Sequence, residues 1–80
     1  MSFVVQNNNK EYVNLTNREL EVLELVSYGY SNKKIADKLY VSTYTIKAHV
    51  SSLFSKISAK NRVDATRIYN KVKVKLKSYL

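Results

Sequence analysis

Residues 31–57 read SNKKIADKLYVSTYTIKAHVSSLFSKI, and the spacing of their apolar positions decides the fold. Ser31 offers a side-chain oxygen to the free N–H groups of a following turn, and Ile35, Ala36 and Leu39 then recur at helical spacing. This predicts a short helix over 32–39. Val41 fills a tight connection and Ser42 repeats the capping chemistry. Ile46, Val50, Leu53, Phe54 and Ile57 form one stripe, at offsets of four, seven, eight and eleven. A helix over 43–57 follows. Its opposite face carries Tyr44, Lys47, Ala48, Ser51 and Ser55, one long cation among mostly short side chains. Two helices joined by about three residues, with small Ala36 letting the axes approach, are the sequence image of a helix-turn-helix.

On the amino-terminal side, Thr16-Asn17-Arg18-Glu19 matches the reciprocal capping box, in which the threonine hydroxyl and the glutamate carboxylate each take an N–H of the other residue. A helix over 17–28 starts there, and Gly29 stands where a left-handed residue ends it without a Cβ clash. On the carboxyl-terminal side Asn61 and Asp64 form a weaker version of the same cap. Ala65, Ile68, Tyr69, Val72 and Leu76 then recur helically, which predicts a helix over 62–76. The run KVKVKLK at 71–77 alternates as a strand would, but no other strand is read for it to pair with, so it is kept helical with fraying after about Lys75. The first fourteen residues show no sustained period. The expectation is an all-α, four-helix, bundle-like domain over 15–80, preceded by a flexible arm over 1–14.

Composition bounds what such a domain can do. Eighty residues make one modest core and leave no room for a deep, walled catalytic cleft, so an enzyme is not expected. With no cysteine and one histidine, neither a metal site nor any cofactor is expected. No membrane span or secretory signal is read, which points to a soluble, cytoplasmic protein. Fourteen Lys+Arg against six Asp+Glu give a net charge of +8, which favours a polyanionic partner. The excess is uneven: acids gather at 11–24, bases at 56–77.

Double-stranded DNA fits this pattern. Lys47 can donate to guanine O6 and N7, Ala48 offers a methyl group to thymine, Ser51 can donate or accept, and Tyr44 stands beside them, so these four are the expected base-reading residues. Asn32, Lys33, Thr43 and Thr45 lie at the starts of the second and third helices, where N–H groups and helix dipoles hold phosphates. Ala65, Ile68, Tyr69 and Val72 lie on a last helix with little left to cover it, and are the expected contact of a homodimer whose reading helices stand roughly 34 Å apart. The competing reading is a protein-interaction module, with the last helix docking RNA polymerase or a sensor domain.

The ordered motifs LTNRELEVL, GYSNKKIA, STYTIKAH and KISAKNR, spread from Leu15 to Ala65, resemble the LuxR-type (GerE-like) helix-turn-helix family of bacterial transcription regulators. The resemblance implies a four-helix domain that binds inverted-repeat promoter DNA as a two-fold dimer, with the third helix in the groove and the fourth at the dimer contact. It places base reading on Lys47, Ala48 and Ser51 and a phosphate contact on Thr45. Ser51 is shorter than the residue the family often carries there. Lys34 replaces a frequent Glu or Gln, losing a second capping box while gaining a possible phosphate contact. Glu19 and Arg62 both fall in family-like motifs, so an ion pair between the first and fourth helices is expected equally with simple capping by Glu19. His49 is expected to pack and bond a neighbouring backbone group.

Overall fold

Each helix begins where a hydroxyl or amide side chain can take an orphan N–H. The computed structural model describes the backbone of residues 2–78 and the side chains of residues 3–72. Helix α1 is Asn17–Ser27, α2 Asn32–Leu39, α3 Thr43–Ile57 and α4 Arg62–Ser78. At α1 the capping box is complete: Thr16 Oγ1 accepts from the Glu19 N–H at 3.1 Å, and the Thr16 N–H donates to Glu19 Oε1 at 2.9 Å. Ser31 and Ser42 accept from the N–H groups of Lys34 and Thr45, at 3.1 and 3.0 Å. Before α4, Asn61 Oδ1 accepts from the Asp64 N–H, while the Asp64 carboxylate bonds back to the N–H of Lys60 rather than Asn61. Gly29, at φ +84°, terminates α1 and donates its N–H to the Val26 carbonyl at 2.9 Å.

The helices close on one core. Val22, Leu23 and Val26 of α1, Ile35 and Ala36 of α2, and Ile46, Leu53 and Ile57 of α3 are buried together. The expected stripe of α3 thus faces inward, with Val50 and Phe54 packed at its margins. α2 packs on α3, and α1 packs against both α3 and α4. Ala65, Ile68 and Tyr69 belong to the core of the chain itself, and Val72 packs against it. Their apolar surface packs against α1 within the chain. α4 is helical through the alternating run to Ser78, two residues past the expected end.

Residues 2–14 are a correction, residue 1 of the expected arm lying outside the described residues. Instead of an arm they form most of an antiparallel hairpin, β1 Ser2–Gln6 and β2 Tyr12–Thr16, pairing Phe3 with Leu15 and Val5 with Val13. The domain is therefore mainly helical rather than all-α. Val5 is only 3% exposed and Leu15 is fully buried, so one face of the hairpin completes the core. The three asparagines build the turn and tie it to the carboxyl end of α3. Asn7 Nδ2 donates to the Lys56 carbonyl, the Asn8 N–H to the Ile57 carbonyl at 3.1 Å, and Asn8 Nδ2 to the Ser58 carbonyl at 3.0 Å. These donors serve the last carbonyls of a helix that has no further turn to donate to them. Arg67 of α4 donates to Asn8 Oδ1 at 3.0 Å, so one asparagine joins hairpin, α3 and α4.

Candidate nucleic-acid interface

The turn between α2 and α3 positions the candidate site. Tyr40 takes the left-handed conformation at φ 58° and, with Val41, donates its N–H to the Ala36 carbonyl, while Ser42 caps α3. Because α3 buries Ile46, Leu53 and Ile57, its opposite face is held outward. Tyr44 is 83% exposed, and Lys47, Ala48 and Ser51 are exposed beside it at helical spacing. The structure thus brings all four expected base-reading residues onto one surface over the first turns of α3. No acidic residue occurs from Lys38 to Val63, so nothing of the chain's own sequence there opposes a phosphate backbone.

The expected phosphate contacts fall around this face with differing freedom. Lys33 and Lys34 are exposed on α2, and Thr43 and Thr45 are half-buried at the start of α3. The Thr45 and Ser42 hydroxyls share a hydrogen bond at 2.9 Å. Asn32 is half-buried because its Oδ1 accepts from Arg62. Tyr30 packs edge-on against Tyr28, with ring centroids 5.9 Å apart, and carries the Lys38 ammonium 5.0 Å above its own ring. Tyr40, between the two helices, is almost fully exposed.

Two other expectations change. Glu19 pairs with Lys56, Nζ to Oε1 at 2.9 Å, and not with Arg62. Burial works to raise the Glu19 carboxyl, but the Thr16 N–H and the Lys56 ammonium outweigh it and hold the group below its ordinary value. Arg62 instead reaches the corner between α1 and α2, where Nη1 donates to the Tyr30 carbonyl at 3.1 Å. His49 is half-buried, and its ring makes no hydrogen bond among the described residues, so it packs without the expected backbone bond. On α4, burial and the Glu24 carboxylate push the Tyr69 hydroxyl well above the usual phenol range, and Tyr69 donates to Glu24.

The surface offers little else to chemistry. An open groove runs between β1 and α4, lined in part by Val4, Gln6, Val63 and Asn70, and none of the four base-reading candidates lines it. Among the described residues no group of His, Asp or Glu is arranged to hold a metal ion, and no helix is long and apolar enough to cross a membrane.

A family profile described as bacterial regulatory proteins of the LuxR family matches residues 13–69. Transcriptional regulatory protein LnrK of Bacillus subtilis (strain 168) is 47% identical over 55 residues, covering 69% of this chain and 25% of LnrK. Oxygen regulatory protein NreC of Staphylococcus aureus (strain JH9) is 40% identical over a stretch covering 72% of this chain and 30% of NreC. The chain therefore spans less than a third of the length of these relatives, and β1 with its asparagine turn lies outside the family match. The residues held together by these four helices are those of a known line of regulators, and the chain belongs to the LuxR family of bacterial regulatory proteins.

Proposed function

We propose that the chain binds double-stranded DNA sequence-specifically and regulates transcription in the bacterial cytoplasm, with α3 inserted in the major groove. The observation that carries this reading is the division of α3: its apolar stripe is buried in the core, while Tyr44, Lys47, Ala48 and Ser51 form an exposed, acid-free face at its start. Lys47 is the principal base-reading side chain, donating to guanine, with Ala48, Ser51 and Tyr44 beside it. Asn32, Lys33, Lys34, Thr43 and Thr45 hold the flanking phosphates and set the register without reading sequence.

Inverted-repeat sites are bound by a two-fold dimer, as in the family this chain belongs to. With Ala65, Ile68 and Tyr69 inside the core, the contact falls on the outer row of α4, where Val63 is 76% exposed and Arg67 and Asn70 follow it at helical spacing. The basic excess of α4 as a whole keeps the pair weak without DNA. The exposed Val63 also favours a second reading, in which α4 docks RNA polymerase or a sensor domain. Binding to duplex with a steep salt dependence separates the two.

The test is selection of bound sequences from random duplex, followed by the same measurement on Lys47→Ala. Lys47 is exposed and lies past the first turn of α3, so the variant folds as the wild type does, yet loses about 1–3 kcal/mol of discrimination at one base pair. Wild-type affinity and base preference in Lys47→Ala would overturn the assignment.

A further inference from the structure

We propose that Arg62 is a positioning residue for DNA binding that acts through Asn32; this rests on the reading of Asn32 as a phosphate contact. The Arg62 guanidinium reaches from the first turn of α4 to the start of α2, donating from Nη1 to the Tyr30 carbonyl at 3.1 Å and from Nη2 to Asn32 Oδ1. A guanidinium has donors and no acceptor, so it can hold an asparagine amide in only one of two orientations, oxygen inward and nitrogen outward. Among the described residues nothing accepts from Asn32 Nδ2, and no side-chain nitrogen or oxygen is buried without a partner, so this nitrogen is not sealed from solvent. Exposed Lys33 and Lys34 follow it in the chain.

A phosphate oxygen accepts and does not donate. The outward nitrogen meets it with a hydrogen bond, whereas the flipped amide would present a carbonyl oxygen and repel it. Arg62 thereby selects the face of Asn32 that DNA can use, and holds it before DNA arrives. Lysine keeps the charge but not the geometry, because a single ammonium on a flexible stem does not reproduce the planar fork that holds Tyr30 and Asn32 together.

The experiment measures affinity for a selected duplex, with a melting curve for each protein, in Asn32→Ala, Arg62→Lys, the double variant and Asn32→Asp. Asn32→Ala weakens binding by about tenfold, the size of one lost bond to a charged group. Arg62→Lys weakens it by roughly fivefold when Asn32 is present and by less than about twofold when residue 32 is alanine, since the residue it positions is gone. Asn32→Asp keeps an acceptor toward Arg62 and melts at or above the wild-type temperature, yet binds more weakly than Asn32→Ala because an anion now faces the phosphate. An equal loss from Arg62→Lys in both backgrounds shows a packing role only and overturns the proposal. Wild-type affinity in Asn32→Ala overturns the phosphate reading itself, and the positioning role with it. If Arg62→Lys does not fold, Asn32→Asp decides: binding as tight as that of Asn32→Ala refutes an outward-facing donor.

Discussion

Asn7 is where the hairpin is either built or absent. It is 7% exposed, and its side chain makes four hydrogen bonds. Oδ1 accepts from the N–H groups of Asn9 and Glu11 at 2.9 and 3.0 Å, and Nδ2 donates to Glu11 Oε1 and the Lys56 carbonyl at 3.2 and 3.3 Å. Asn7→Ala removes all four and leaves two turn N–H groups without these acceptors. Taking about 1 kcal/mol for each of the shorter bonds and about half that for each of the longer ones, the variant loses about 3 kcal/mol. For a domain of this size that is a fall in melting temperature of roughly 12–24 °C. The assay is urea and thermal unfolding followed by far-ultraviolet circular dichroism. Asn9→Ala serves as the control, because Asn9 is exposed and, among the described residues, its side chain bonds only the Ser58 hydroxyl. That control stays within about 0.5 kcal/mol of wild type. If Asn7→Ala also stays within that margin, the turn does not hold α3 in solution and residues 1–14 behave as the arm that their lack of a sustained period predicts.

Acid should weaken the fold through Glu19. Its carboxyl is held below its ordinary value of 4.5, so the unfolded chain binds the proton more readily; the stabilisation is complete above that value and is lost as the pH falls through the lowered one. Urea titrations from pH 7 to pH 3 should show Glu19→Gln with a flatter stability profile than wild type, and an equally steep profile would remove Glu19 as a cause. Ala36, buried where α2 and α3 pack, tolerates little added volume, so Ala36→Leu should cost about 1–3 kcal/mol of stability. Because it also opens the angle between the two helices, DNA titrations of the folded variant should show a further loss of affinity; unchanged binding would mean that the angle does not set the reading face.

Caps and periodicity determined the helices. Thr16, Ser31, Ser42 and Asn61 act within three residues of themselves, and the stripes of α2 and α3 are local patterns, so their bounds were legible in one dimension. The exposed face of α3 was legible for the same reason: once Ile46, Leu53 and Ile57 point inward, Lys47, Ala48 and Ser51 must point outward. The hairpin was not. Phe3, Val5, Val13 and Leu15 do alternate around an asparagine turn, but each strand is only five residues long and gains its stability from a core assembled by distant helices. The same holds for the residues of α4. Periodicity shows that Ala65, Ile68 and Tyr69 share an apolar face, and only packing decides that α1 covers it. Partners of charged groups are likewise a tertiary matter. Long side chains choose among acceptors brought together from separate helices, which is why Glu19 meets Lys56 and Arg62 meets the start of α2.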